Sequence, residues 1–554
     1  MDQQMIYRRR WTILSVLIVG LLAIVIDNTV LNVALKTIAE PHGGLGASQS
    51  QLEWAINSYT LVFAGLLFTF GVIGDRIGRK RMLMIGLALF GVGSLLSAYS
   101  HTPDQLIFAR AAMGFGGAAV MPQTLSIISN VFEPHERPRA IGIWATAVGI
   151  GVAIGPVLGG ILLSHYWWGS VFLINVPVTV AGAIAVAVLV PESRNPDPGR
   201  VDYLGVLLSI VGLILVVYGI VRGGDTGSWV RADVYGPILG GLAVLGGFTW
   251  HETRISHPSL DVRLFGDRRL SASVGAIALL FFGMGGVYFF TTFYLQNVRG
   301  YSALQAGLLT IPFAVGQLLL APRSAGLVQR FGAKAVGTTG MLVMALALAG
   351  YATLGTSSPI WILAVFFAIQ GAGVGVAIPS ATSAVMDVLP RERAGAGSAL
   401  TNTSRQVGVA LGVAVLGSVL ANVYRQQLDP SLSALPRAAR ATAGQSIAAT
   451  QAVAQHLGAA GQSLLGPADG AFVHAMHVTT IVAAVIALAG ATVVLRWMPG
   501  LRARAEAPQE MTATGEATEA AGVIEAAEVI EAAEGSQAST RERQEQDDLA
   551  AVEG

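Results

Sequence analysis

The chain has 554 residues, of which 53% are hydrophobic and only 12% are charged, and its mean hydropathy is +0.61. A soluble protein has roughly 25% charged residues, so lipid rather than water must surround most of this chain. The net charge of +1, with basic residues scattered between apolar runs, gives no indication of nucleic-acid binding. The absence of cysteine excludes disulfides, thiolate metal sites and thiol catalysis.

The first apolar run, 11–35, follows three arginines and is too long for a secretory signal, so it predicts a retained helix. Further runs that could cross a hydrocarbon core of ~30 Å as helices recur along the chain. We predict fourteen spans in all: 11–35, 53–74, 82–98, 105–131, 140–164, 171–190, 201–221, 234–251, 270–296, 305–321, 335–354, 360–389, 395–420 and 471–497.

The positions of lysine and arginine predict the orientation of these spans. If the N-terminus is cytoplasmic, most of the 34 basic residues fall in cytoplasmic segments, and the bias appears in almost every short loop. The expected protein is therefore an all-α, multi-pass protein of the bacterial inner membrane with both termini in the cytoplasm. Residues 421–470, rich in Ala, Gln, Ser and Gly, are expected to form an external loop. The acidic tail 498–554 is expected to be disordered or a fragile helix.

Two loops have similar sequences. The loop after the second span, 71–81, contains Gly71, Asp75, Arg76, Gly78 and Arg79. The loop after the tenth span, 325–334, repeats this pattern with Gln329 in place of Asp75. One such loop could be a charged helical hairpin. Two in corresponding places indicate the internal repeat of secondary transporters.

Residues 71–81 resemble the signature loop of the major facilitator superfamily. Three further stretches resemble its branch of fourteen-span drug:proton antiporters. Residues 27–35 resemble that branch's first-helix motif, although Lys36 stands where proline is usual, and 402–408 resemble a stretch near its end. Residues 151–160 resemble its antiporter motif, with Gly151, Gly155, Pro156, Gly159 and Gly160. Residues 168–177 also fit, but lack the usual Arg-Trp.

This resemblance implies two six-helix bundles, 1–190 and 270–497, with a helix pair inserted at 191–269. It implies a monomer without a cofactor that exports small lipophilic molecules, such as drugs or antibiotics, using the proton gradient. The loop 71–81 would then act in conformational gating. A lipid or secondary-metabolite cargo and coupling to sodium remain open. A membrane enzyme or a non-transporting sensor is disfavoured, because no acid–base or metal cluster and no large folded soluble domain are evident.

Asp27 is the only acid that we expect deep in the membrane, about 12 Å from the outer end of its span. Glu53 is expected at the outer edge of the second span, where it would stay hydrated. An ionisable residue within a span indicates function. Arg110, about 9 Å deep in the fourth span, has a similar depth, and the resemblance assigns it to a family motif. We therefore predict that the two residues couple proton movement to transport. A static ion pair, or direct binding of a cationic substrate by Asp27, is the alternative.

Polar residues within other spans are candidates for lining a substrate cavity between the two halves. They are Asn28, Asn32, Tyr59, Gln123, Tyr288, Tyr294, Gln317, Gln370 and Arg405. Each could instead form a hydrogen bond between helices. No acid is evident deep in the second half, which disfavours dications as cargo. His474 and His477 lack a nearby carboxylate, so we expect no metal site.

Overall fold

The computed structural model describes residues 3–41, 43–133, 135–194, 201–255, 260, 262–388 and 394–498. All regular structure in these ranges is helical, and no β-strand occurs in them. The predicted all-α class is therefore confirmed. The acidic tail that the sequence predicts from residue 498 onward lies, after Met498, outside the described residues.

The described residues form seventeen α-helices. They are α1 (Gln3–Ala39), α2 (Gln49–Ile77), α3 (Arg79–Ala98), α4 (Pro103–Val131), α5 (Arg137–His165), α6 (Ser170–Leu173), α7 (Asn175–Leu189), α8 (Tyr203–Thr226), α9 (Ala232–Glu252), α10 (Arg268–Phe293), α11 (Ala303–Leu308), α12 (Ile311–Tyr351), α13 (Ile360–Val388), α14 (Ala394–Leu428), α15 (Arg437–Ala443), α16 (Ile447–His456) and α17 (Gln462–Trp497). A single π-helical turn, Tyr294–Val298, extends α10.

In the described ranges, thirteen helical stretches are long and apolar enough to cross a membrane. One of them, Ala303–Tyr351, covers two of the predicted spans, 305–321 and 335–354. Within it, Gly332 has a non-helical backbone (φ 84°, ψ 153°), so the chain changes direction inside α12. A multi-pass helical membrane architecture is thus confirmed, whereas fourteen separate helices are not.

Gly78 and Gly332 show that the repeated loops are also repeated in backbone structure. Gly78, between α2 and α3, has φ 117° and ψ 131°, close to the values at Gly332. A positive φ is costly for a residue with a Cβ atom, so glycine is required at both turns. Each glycine lies three residues after an aligned position, Gly78 after Asp75 and Gly332 after Gln329.

We call α1–α7 the first half and α10–α17 the second half of the bundle, and α8 packs against both. In the first half α4 packs on α2 and α3, and in the second half α12 packs on α13 and α10 on α14. Helix α8 packs on α9, α2 and α14. The helix pair predicted as an insertion therefore contacts the rest of the bundle mainly through α8.

The end of the bundle that holds the α1–α2 loop, here the first-loop end, is closed. Lys36 Nζ donates to the carbonyl of Gln296 (3.0 Å), and Gln296 Nε2 donates to the carbonyl of Val33 (2.9 Å). Gln49 Nε2 donates across the halves to the carbonyl of Gly417 (3.0 Å). These bonds join α1 to the π-helical turn after α10, and α2 to α14.

The segment 421–470 is folded, which corrects the expectation of a loop. Helix α14 continues to Leu428, and α15 and α16 pack beside it and α17. Tyr424 and Thr450 are both buried, and their hydroxyl oxygens lie 2.7 Å apart. The Ala- and Gln-rich composition that suggested a loop also has high helix propensity, and apolar contacts with the bundle decide the outcome.

Candidate functional site

Asp27 and Arg110 are in contact at the centre of the first half. Helix α1 carries Asp27 against α4, which carries Arg110, and the two side chains are almost completely buried. Arg110 Nη1 donates to Asp27 Oδ2. Arg110 Nε donates to the carbonyl of Ala55 in α2 (3.1 Å). The two residues that were paired by their predicted depth therefore form a buried ion pair.

Asn175, at the start of α7, completes the environment of the carboxylate. Its Nδ2 donates to Asp27 Oδ1 (3.0 Å) and lies 3.1 Å from Ser94 Oγ. Ser94 in turn donates to the carbonyl of Phe172 (2.8 Å). Both carboxylate oxygens of Asp27 thus have donors, as a buried charge requires. Asn175 was not predicted from the sequence as a partner of Asp27. The available signal was an amide at the start of an apolar span.

The aromatic ring of Tyr59 packs against the guanidinium group of Arg110. The guanidinium carbon lies 4.5 Å from the centroid of the Tyr59 ring, a distance typical of a cation–π contact. The Tyr59 hydroxyl accepts a hydrogen bond from Asn28 Nδ2 (3.2 Å). Tyr59 is fully buried and does not line the cavity, so its predicted place there is wrong.

A cavity lies between the two halves. Four predicted residues line it: Asn28, Asn32, Tyr288 and Arg405. Arg110 also reaches the cavity wall, whereas Asp27 is not among the lining residues. The ion pair therefore stands in the wall with its cation toward the cavity and its carboxylate behind it.

Gln123 has a packing role instead of the predicted place in the cavity. It belongs to α4, is fully buried against α2, and donates from its Nε2 to the carbonyl of Phe70 (2.8 Å). A Cβ atom at Gly74 would lie 2.3 Å from Gln123. The glycine of the signature loop therefore provides the space that this amide occupies.

The remaining predicted polar residues also lie outside the cavity lining. Gln370 Oε1 accepts from the Tyr351 hydroxyl (2.7 Å), and the Tyr294 hydroxyl donates to the carbonyl of Gly355 (2.8 Å). The backbone of Gln317 packs against Gly375 of α13. For Gln370 and Tyr294, the alternative of a structural hydrogen bond is the one observed.

Arg405 of α14 is the second cation of the cavity. Its Nη1 donates to Asn402 Oδ1 (3.4 Å), and its guanidinium carbon lies 4.7 Å from the centroid of the Phe281 ring. Among the described residues no carboxylate lies within ion-pair distance of Arg405. The cavity consequently has two guanidinium groups in its wall, and within the described ranges only Arg110 is paired with an acid.

The glycines of α5 allow a close approach to α1 beside Asp27. A Cβ atom at Gly155 would lie 1.8 Å from Thr29 Oγ1, and one at Gly151 would lie 2.9 Å from Val25. Gly159 faces Val30 in the same way. This glycine face lies against the part of α1 that carries the carboxylate.

The other two residues of the antiporter motif contact the second half. A Cβ atom at Gly160 would lie 2.5 Å from the Cα atom of Leu304 in α11. A Cβ atom at Gly307 of α11 would lie 2.3 Å from the carbonyl oxygen of Pro156. Helix α5 therefore packs between α1 and α11, where the two halves meet.

The signature loop is held by ionic and backbone contacts. Arg79 Nε lies 2.8 Å from Asp75 Oδ1, and the backbone amide of Arg79 donates to the carbonyl of Ser193 (2.9 Å). Glu192 Oε1 accepts from the backbone amide of Lys80 (3.1 Å), so an acid lies at the N-terminus of α3. Arg76 is exposed. Glu192 was not anticipated from the sequence.

Two other expectations concern Glu53 and a metal site. Glu53 is only 2% exposed, so the expectation of a hydrated acid at the outer edge is wrong. In the described part of the chain, no group of three His, Asp or Glu residues could hold a metal ion. His477 Nε2 instead lies 2.6 Å from the carbonyl oxygen of Leu354.

A helical bundle of two repeated halves, with a central cavity and a buried ion pair in its wall, is the architecture of a secondary transporter. The chain belongs to the Major Facilitator Superfamily, whose sequence model matches residues 17–413. The predicted family is therefore confirmed.

Three similar proteins have names that describe efflux, export or resistance. The multidrug efflux pump LfrA of Mycolicibacterium smegmatis is 35% identical over 491 residues, 88% of this chain and 96% of that protein. The tetracenomycin C resistance and export protein of Streptomyces glaucescens is 32% identical over 75% of this chain and 76% of its own. Methyl viologen resistance protein SmvA of Salmonella typhimurium is 35% identical over 75% and 83%.

Solved structures show the same fold. A bacterial homologue of the human lysosomal transporter Spinster, in an inward-facing and unoccupied conformation, has a TM-score of 0.62 at 18% identity. The match covers 88% of this chain and 98% of that one. Fold and relatives together make this protein a multi-pass membrane transporter with homologues among multidrug and antibiotic exporters.

Proposed function

We propose that this protein is a proton-coupled antiporter that exports small lipophilic compounds across the bacterial inner membrane by alternating access. The observation that carries the proposal is the buried pair Asp27–Arg110 in the wall of the central cavity. The similarity to efflux proteins supports the direction of transport and the class of cargo.

The position of the Asp27–Arg110 pair provides a way to couple proton movement to cargo movement. While Asp27 is ionised, it neutralises Arg110 and holds it in place. Protonation of Asp27 removes that attraction and leaves the positive charge of Arg110 facing the cavity. Proton binding thereby changes both the contacts between α1 and α4 and the charge that a bound compound meets. The proton and the cargo then favour different conformations, as antiport requires.

A proton gradient of about two pH units would be large enough for this task. Each unit of pH difference corresponds to about 1.36 kcal/mol per proton, so a gradient of about two units supplies about 2.7 kcal/mol. One proton could therefore maintain roughly a hundredfold gradient of a neutral compound, because tenfold in concentration corresponds to about 1.4 kcal/mol.

The lining of the cavity indicates the cargo's character. Phe281, Met284 and Val409 are apolar, and the flexible methionine can adapt to different shapes. The described carboxylates do not line the cavity, whereas Arg110 and Arg405 do. Neutral, zwitterionic or singly charged lipophilic compounds fit this lining better than dications. A self-made secondary metabolite is the second candidate, favoured by the similarity to the tetracenomycin C export protein.

The orientation follows from the distribution of basic residues. By the positive-inside rule the first-loop end faces the outside and both chain ends face the cytoplasm. Because the first-loop end is closed by hydrogen bonds between the halves, the conformation described here would receive cargo from the cytoplasmic side.

The test is transport in proteoliposomes with an imposed proton gradient. The panel contains lipophilic cations, neutral antibiotics and anionic phenols. Asp27→Asn should abolish gradient-driven accumulation while leaving the amount of inserted protein unchanged. Asp104→Asn, which removes an acid outside the core at the start of α4, is the matched control and should transport normally. Uphill transport by Asp27→Asn would refute the coupling role and favour the static ion pair. Replacing the proton gradient by a sodium gradient tests the other coupling ion.

A further inference from the structure

Glu53 is a buried acid at the contact between the two halves. It lies in the second turn of α2, near the first-loop end. A Cβ atom at Gly417 of α14 would lie 2.3 Å from Glu53 Oε1, so the carboxyl group packs directly on the backbone of the second half. Closing the first-loop end therefore encloses this side chain.

The sides of this site are sealed by three helices. An apolar cluster joins them: Leu61 of α2, Val217 and Val221 of α8, and Ala410 and Ala414 of α14. Trp54 packs against the same cluster. Separation of α2 from α14 or α8 would therefore expose Glu53 to water.

The hydrogen bonds of Glu53 suit a neutral carboxyl group better than a carboxylate. Gln49 Nε2 donates to Glu53 Oε1 (3.2 Å), but Oε2 is buried without a hydrogen-bond partner. No described arginine or lysine lies within ion-pair distance of Glu53. This contrasts with Asp27, whose two oxygens both have donors and whose partner is a cation.

The charged groups around the site are on α8 and α14. Asp225, near the end of α8, is the acid that acts electrostatically on Glu53. Asp225 is exposed, Arg222 is paired with Asp233 (3.2 Å), and Arg425 acts electrostatically on Asp225. Glu53 therefore has a second acid nearby and no described arginine or lysine as an ion-pair partner.

We propose that Glu53 is a second proton-binding site, which must be protonated before the first-loop end of the transporter can close. An ionised carboxylate that is buried without a cation costs far more free energy than one in water. In the open form water would reach Glu53, and the proton could leave to the side that the first-loop end faces. Closing then takes up one proton at Glu53, independently of Asp27. Above the pKa of the open form, the ratio of closed to open molecules falls tenfold per pH unit.

The test of this proposal measures a distance between the two halves and does not measure export. A negative result would therefore count against the role of Glu53 and not against the proposed antiport. The chain has no cysteine, so His101→Cys and Ser357→Cys would place two spin labels at exposed loop sites, one on each half. Pulsed electron paramagnetic resonance of the full chain in liposomes then reports the closed and open populations against pH. An Asp27→Asn background removes the titration of the first site.

In that background we expect the ratio of closed to open molecules to fall tenfold per pH unit on the alkaline side. Glu53→Gln, which is always neutral, should abolish this dependence and keep the first-loop end closed. Asp225→Asn removes the neighbouring acid and should move the transition to lower pH, because ionised Glu53 is then less strongly repelled. Asp104→Asn is the matched control and should leave the transition unchanged. A slope that persists in Glu53→Gln, or that is already absent in Asp27→Asn alone, would overturn the proposal.

Discussion

Gly155 offers the sharpest test of how α5 and α1 cooperate. A Cβ atom at this position would lie 1.8 Å from Thr29 Oγ1, whereas ordinary van der Waals contact begins at about 3.4 Å. The substitution Gly155→Leu must therefore move α1 away from α5 by more than an ångström or turn Thr29 out of its hydrogen bond to the carbonyl of Ile26 (3.0 Å). Asp27 lies two residues before Thr29, so the displacement reaches the ion pair.

The expected size of the effect follows from packing energetics. Overpacking costs typically about 1–3 kcal/mol, and about 1.4 kcal/mol corresponds to a factor of ten. If that cost falls on one of the alternating conformations, gradient-driven transport should fall by roughly ten- to a hundredfold. Thr29→Ala removes the clashing oxygen, so Gly155→Ala combined with Thr29→Ala should recover most of the transport that Gly155→Ala loses alone.

The assay is initial-rate export in the same proteoliposomes, normalised to inserted protein. Gly142→Leu is the matched control, because this glycine is exposed on the same helix and a Cβ atom there would have no neighbour within 4 Å. Near-normal export by Gly155→Leu, or an equal loss in Gly142→Leu, would refute the importance of this helix contact.

Three further predictions concern charge and backbone. Arg405→Gln removes a cation that has no acidic partner among the described residues, so the ratio of lipophilic-cation to anion transport should rise. Arg405→Lys keeps the positive charge and should preserve the ratio. An unchanged ratio in Arg405→Gln would show that the charge of Arg405 does not select the cargo. Gly332→Ala places a Cβ atom on a residue with positive φ and should lower the stability of the fold by about 1–2 kcal/mol, measured as a lower melting temperature in detergent. A Cβ atom at Gly326 would have no neighbour within 4 Å, so Gly326→Ala should leave the melting temperature unchanged. Arg10 forms two hydrogen bonds to Glu136 (2.8 and 3.0 Å), and this contact lowers the pKa of Glu136. The stabilisation is therefore present above the usual glutamate pKa of about 4.3 and is lost as pH falls through the lower folded value. Arg10→Gln should reduce the melting temperature at pH 7, and this reduction should shrink as pH falls below the usual glutamate pKa of about 4.3. A reduction that stays equal at every pH would exclude an ionic cause.

Membrane architecture was accessible from the sequence because it depends on local properties. Length and hydropathy of each run predict helices that cross the lipid, since every backbone group in a bilayer needs an internal partner. The repeated loops located Gly78 and Gly332, and a common rise of 1.5 Å per residue was enough to pair Asp27 with Arg110 by depth.

What only the tertiary structure decided is which face of each helix meets which neighbour. Spans that are apolar on all sides have no hydrophobic stripe to reveal their orientation. Tyr59, Gln123 and Gln370 therefore looked like cavity residues, although they pack between helices. The folded segment 421–470 likewise depends on contacts with the bundle that its composition does not reveal.

Glu53 shows the same limit most clearly. Its distance from the end of α2 suggested a hydrated acid, and that estimate considered only depth along one helix. The acid is buried because α8 and α14 approach α2 laterally, and a glycine at 417 allows the contact. Sequence by itself determined how deep each charged group lies along its helix. Tertiary packing determined which of these groups water can reach, because neighbouring helices rather than lipid alone exclude water.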